Sequence, residues 1–139
     1  SWGGVLSYNA FRRWVVEPVT RIFDSLKDTN VPRILFVNNV APYLDLVREV
    51  PCEVVGVDFR LPLRMAMDAL PDKAIQGNLD PSLLFAGPEA VRHGTLEMLD
   101  SVTDLDRLIV NLGHGIQPET PIESVAAFVD TAHAYRCQS

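Results

Sequence analysis

The sequence predicts an α/β protein built on about four parallel strands that alternate with helices. Three observations carry this. Short apolar runs begin near residues 34, 54, 74 and 108. Segments with helical apolar spacing separate them. Each run ends, on its C-terminal side, in polar residues. Apolar strands alternating with helices imply a parallel sheet joined by right-handed crossovers.

The elements follow in order. Phe11, Trp14, Val15, Val19, Ile22, Phe23 and Leu26 fall at helical spacing, so residues 9–27 read as one amphipathic helix. Pro18 has no N–H to continue the ladder and predicts a kink or a break there. Residues 28–30 end the helix. Residues 33–38 form the first strand, and Pro42 opens a short helix carrying Leu44, Leu46, Val47 and Val50. The second strand covers 54–59, and another short helix covers 62–70. Residues 74–78 give the third and weakest strand. Gln76 and Asn78, two apart on it, point to one side. Asp80 caps the next helical turn, with Pro81 at its first position. A longer helix runs from 88 to about 102 with Val91, Leu96 and Leu99 inward. Residues 108–111 are the fourth strand. Thr120, Pro121 and Glu123 spell a capping box for the last helix, whose stripe is Ile122, Val125, Phe128, Val129 and Ala132. Residues 135–139 read as a frayed tail.

Composition bounds the function. The chain has 139 residues, 47% of them hydrophobic, which suits a single domain with a real core. No apolar run reaches the roughly 18 residues of a membrane span, and no signal peptide opens the chain. A net charge of -6 argues against nucleic acid and anionic membranes as partners. Cys52 and Cys137 match no metal spacing, and a reducing cytoplasm is the default. Phosphate-binding glycine motifs and nucleophile elbows are absent. The chain starts without methionine, as a piece of something longer would.

Chemistry-bearing residues gather at the strand ends. They are Asn38 and Asn39, then Asp58, then Gln76 and Asn78, then Asn111 and His114. In α/β proteins ligands bind outside the carboxyl ends of the strands. His114, between Gly113 and Gly115, is the sharpest candidate, because imidazole both donates and accepts near neutral pH. Asp58 suits a buried structural role as well as a chemical one. His93 and His133 read as structural.

Four segments resemble one family. Ser1-Trp2-Gly3-Gly4 looks like the end of the F-D-S-W-A-G segment of uroporphyrinogen decarboxylases. Val55-Gly56-Val57-Asp58-Phe59 resembles their V-G-L-D-W motif. Gln76-Gly77-Asn78-Leu79-Asp80-Pro81 and Asn111-Leu112-Gly113-His114-Gly115 match Q-G-N-L-D-P and N-L-G-H-G.

The resemblance implies the C-terminal part of a (β/α)8 TIM-type barrel, with residues 1–139 as a single partial domain. It implies a cytoplasmic homodimer, or a plastid one in photosynthetic eukaryotes. The reaction it implies is decarboxylation of the four acetate side chains of uroporphyrinogen III to coproporphyrinogen III, without cofactor or metal. Ser1 and His114 fall on the family's substrate contacts. Asp58, Gln76, Asn78 and Asn111 are further strand-end candidates, and no catalytic residue is assigned in this half. The family's arginine-bearing R-Q-A-G-R segment, strand-end aspartate and cleft tyrosine have no counterpart here. Four strands alone leave two open edges, so the chain is expected to pair with itself or with the remaining half. Two alternatives stand beside this reading. One is an inactive half-barrel that only binds or oligomerises. The other is a corrinoid-linked methyltransferase relative, which would need cysteines that the His114 loop lacks.

Overall fold

Strands β1 (Ile34–Phe36), β2 (Val54–Gly56), β3 (Ala74–Leu79) and β4 (Leu108–Leu112) form one parallel sheet whose order in space is their order in the chain. The computed structural model describes residues 2–136. Ser1 and residues 137–139 lie outside the described residues, and with them the site position expected at Ser1.

Register sets the two faces. Leu35, Val55, Ile75 and Leu108 lie side by side across the sheet and are buried in one cluster with Phe11, Leu46, Val47, Leu70 and Leu99 from the helices. Their neighbours along each strand, Ile34, Phe36, Gly56, Gln76 and Ile109, take the opposite face. Among the described residues no helix covers that face, and Ile34 and Ile109 are 49% and 43% exposed there.

The N-terminal helical run does not break. Helix α1 (Tyr8–Phe11) passes through a π turn (Arg12–Val16) into α2 (Glu17–Ser25). Glu17 donates its N–H to the Arg12 carbonyl, five residues back. This wide turn sits just before Pro18, where the ordinary ladder loses a donor. The inserted residue also rotates the apolar stripe. Val16, outside the expected set, is buried, while Trp14 and Ile22 are exposed.

Helices α3 (Leu44–Arg48) and α4 (Leu63–Ala69) follow β1 and β2. Between β3 and α5 (Pro88–Asp100), residues Pro81–Ala86 form a 3-10 helix, and the Asp80 carboxylate caps it by accepting the Ser82 N–H at 2.8 Å. In α5 the buried positions are Val91, Thr95 and Leu99, and Leu96 is exposed, contrary to expectation. Thr95 can take a core position because its hydroxyl donates to the Val91 carbonyl. Helix α6 (Ile122–Arg136) extends through Tyr135, which was expected in the tail. Thr120 does not cap it. Its hydroxyl accepts the Gln117 N–H and closes the preceding turn, and the Pro121 carbonyl accepts the Ser124 and Val125 N–H groups.

Three cations seal the N-terminal end of the sheet. The buried Lys73 ammonium donates to the Val50 and Cys52 carbonyls at 2.8 and 3.0 Å. Arg107 donates to the carbonyls of Leu70, Pro71 and Lys73. Arg33 forms a fork with Glu53 and also offers its backbone N–H.

The Arg33 side chain, joined by the Arg33 N–H, pulls the Glu53 carboxyl from 4.5 down to about 2. A depressed carboxylate stabilises the fold above its unfolded pKa and loses that contribution as pH falls through the folded value. Glu53→Gln should therefore be less stable than the parent chain near neutral pH, and the gap should close between about pH 4.5 and about pH 2. Urea midpoints across that range check this, and a gap that stays constant would refute it.

Candidate functional site

The carboxyl ends of the strands all reach one end of the sheet, and loops gather there. Gly113, immediately after β4, packs against the β2–α4 loop. A Cβ at this position would lie 2.8 Å from Phe59 Cα and closer still to Phe59 N. The Gly113 N–H also donates to the Leu79 carbonyl at 2.7 Å. Glycine is thus required here by close approach of backbone. The next residue, His114, stands exposed, its ring edge-on to Phe36 with centroids 6.3 Å apart.

His114 borders a hollow of about 480 Å³ on the uncovered face, shared with Phe36, Gly56, Gln76, Asn111 and Ile116. Asn111 turns its carbonyl oxygen to the Leu112 N–H at 2.8 Å, which leaves its amide hydrogens for a ligand. The hollow therefore combines an imidazole, two amide side chains and one aromatic wall. That set can hold carboxylates or other polar groups of an otherwise apolar molecule.

Behind the hollow lies a buried polar network. Asp58 is fully buried. One of its oxygens accepts the Asn39 N–H at 2.6 Å, and the other accepts the Arg60 N–H at 3.0 Å and Arg60 Nη1 at 3.2 Å. Asn78 donates its amide to the carbonyls of Asp58, at 2.9 Å, and Leu61. Asn39, at φ 60°, donates its side chain to the Gly4 carbonyl, and the Tyr43 hydroxyl donates there too. The Trp2–Val5 turn is thereby held at the strand-end rim.

Of the sequence candidates, His114, Gln76 and Asn111 meet in the hollow, whereas Asp58 and Asn78 meet in the network behind it. Gln76 and Asn78 do not share a side as expected. Gly77 between them has a φ of 151°, which interrupts the alternation. Phe36 was missed, because an aromatic at a strand end reads as core. The anchoring role of Asn39 was also missed, although the Asn38-Asn39 pair after a strand is a turn signal. Among the described residues no group of three or more His, Cys, Asp or Glu is placed to hold a metal. No described helix is long and apolar enough to cross a membrane.

A parallel sheet in chain order, helices on one face and a polar hollow at its carboxyl ends, marks a segment of a larger α/β fold, of the class in which strand ends are the usual ligand-binding end. Its family is specific. The family model described as uroporphyrinogen decarboxylase (URO-D) matches residues 1–135, and the chain belongs to that family. The uroporphyrinogen decarboxylase of Streptomyces coelicolor is 42% identical over 134 residues, covering 96% of this chain and 38% of that protein. That of Citrifermentans bemidjiense is 39% identical over 133 residues, covering 96% of this chain and 39% of that protein. The chain thus spans well under half the length of these relatives. A solved methyltransferase from Methanosarcina mazei has the same fold over 94% of this chain and 38% of its own, with a TM-score of 0.80 at 21% identity.

The two glycines beside His114 should respond differently to substitution. Gly113→Ala must push the Phe59 backbone away and should cost about 1–3 kcal/mol. Gly115→Ala meets nothing within 4 Å and should change stability by less than about 0.5 kcal/mol. Equal melting temperatures for the two variants would contradict the close-packed loop.

Proposed function

We propose that this chain is one part of a uroporphyrinogen decarboxylase and that its hollow receives carboxylate-bearing side chains of uroporphyrinogen III. The observation that carries the reading is His114, exposed on a clamped loop at the strand ends of a chain in this family. In the reaction each acetate side chain loses its carboxyl group as carbon dioxide and keeps a methyl group. A proton adds to the pyrrole ring, the bond to the carboxyl carbon breaks, and its electrons flow into the ring. The exocyclic methylene so formed takes a proton to become the methyl group as the ring gives its proton up. Each carboxyl is thus replaced by one hydrogen, and the chemistry calls for no cofactor. Four such losses give coproporphyrinogen III.

This chain's residues bind and orient. The imidazole of His114 donates to a substrate carboxylate, and the amides of Gln76 and Asn111 meet neighbouring polar groups. Phe36 offers an apolar wall to the macrocycle. The clamp at Gly113 fixes where the imidazole stands before substrate arrives, and such preorganisation lowers the cost of binding. The charges that clamp the remaining carboxylates and face the pyrrole N–H groups belong, in this reading, to the rest of the fold. Residues 1–139 are then one partial unit of a barrel. The uncovered sheet face, with Ile34 and Ile109 exposed, supports that, because further strands would close over it. The complete protein would be a homodimer of the cytoplasm or plastid.

The test is anaerobic conversion of uroporphyrinogen III to coproporphyrinogen, by this chain alone and mixed with the complementary N-terminal segment of the Streptomyces coelicolor relative. Activity is expected in the mixture. His114→Ala should lower its kcat/KM by about 10- to 100-fold, the worth of one charge-assisted hydrogen bond. A folded, associated mixture without activity would overturn the reading in favour of a half-barrel that only binds or oligomerises.

A further inference from the structure

Of the described lysines and arginines, Arg60 alone stands in a loop at the carboxyl ends of the strands. The others lie on helices or at the opposite end of the sheet, where Arg33, Lys73 and Arg107 are taken up by carbonyls and carboxylates. Arg60 is differently placed. Only its Nη1 is engaged, with Asn38 Oδ1 and Asp58 Oδ1, each at 3.2 Å. Among the described residues neither Nε nor Nη2 has a partner. The guanidinium lies 4.4 Å over the Phe59 ring, which holds its plane without consuming a donor.

Its ion pair is lopsided. The Asp58 side chain is 1% exposed and that of Arg60 54% exposed. The carboxylate is hidden and the cation is displayed, so an approaching ligand meets the positive end. Arg60 does not itself line the hollow, and its loop reaches the His114 loop through Phe59. Asn38 is two residues past Phe36, and the Phe59 backbone is packed against Gly113, the neighbour of His114. The cleft that Arg60 does line also holds Arg64, which faces Asp68, and the carboxylates of Asp80 and Glu97. Asp80 is turned to the Ser82 N–H and Glu97 to His93.

We propose that Arg60 is a second carboxylate contact of this site, holding one acidic side chain of the substrate at the rim while His114 meets another. This deepens the reading under Proposed function and rests on it. Asp58 is then a positioning residue. By occupying Nη1 it aims the remaining fork of the guanidinium, and planar forks match carboxylates. A ligand with several carboxylates suits such an arrangement, because two anchored groups fix the orientation of a ring that one could not.

The test uses uroporphyrin, the stable oxidised ring with eight carboxylates, and the mixture of this chain with its complementary segment. Porphyrin fluorescence reports binding. Arg60→Gln should weaken it about tenfold and flatten its dependence on salt. Arg60→Lys should restore part of the loss, and Arg92→Gln, on the outside of α5, should change nothing. Uroporphyrin held equally by the parent chain and by Arg60→Gln would overturn the proposal and leave the hollow's reading intact. No binding by the parent mixture would overturn both. A measurement on the unaltered chain covers the case in which Arg60→Gln does not fold. Peptide-mapped phenylglyoxal labelling should show Arg60 protected by uroporphyrin and Arg92 not, and equal labelling with and without uroporphyrin refutes the contact.

Discussion

A carboxylate removed wholly from water must find donors, and in this chain Asp58 finds them in two neighbouring loops. The Asn39 N–H comes from the loop after β1, while the Arg60 N–H and guanidinium come from the loop after β2. Asn78 joins β3 to the same node through the Asp58 carbonyl, and Asn39 passes the restraint on to Gly4. Removing one partner of such a buried charge costs more than the pair contributes, so the node behaves as a unit. Three strand ends and the N-terminal turn therefore keep their relative places, and the hollow inherits its shape from them.

The two ends of the sheet divide the work. At the N-terminal end, cations are spent on carbonyls and on Glu53, which closes the bottom of the sheet with polar groups satisfied. At the carboxyl end the polar side chains are only partly satisfied. Asn111 gives one atom to the backbone and Arg60 one nitrogen to the network. The carboxyl end is thus held by the buried Asp58 node while the side chains around the hollow keep donors free, as suits folds whose ligands bind at strand ends.

The strands were legible because apolar runs of β-branched residues recur between proline- and glycine-marked turns, and Asp80 before Pro81 announced its cap. What stayed hidden depended on single backbone events. One extra residue in the π turn after Phe11 rotated the first helix and exchanged Val16 for Trp14 in the core. The φ of Gly77 sent Asn78 into the network and Gln76 into the hollow. Thr120 gave its hydroxyl to the Gln117 N–H of the preceding turn. At the site, His114 between two glycines was readable, because such a loop serves a close approach. Phe36 was not, since an aromatic in an apolar run reads as core, and Arg60 could be placed near a strand end without declaring which surface it would meet.

Because order in space equals order along the chain, each strand pairs with the one made just before it. A growing chain can therefore build this sheet as it is synthesised, adding one strand at a time without waiting for a distant partner. The pairings it needs are separated by 20 to 33 residues in register, as in Ile34 with Val54 and Ile75 with Leu108, so each closes one crossover rather than the whole chain. At every stage the newest strand offers a live row of backbone donors and acceptors. Incompleteness in a molecule of this design is then stored as an unspent edge, ready for the next strand, rather than as an unfolded region.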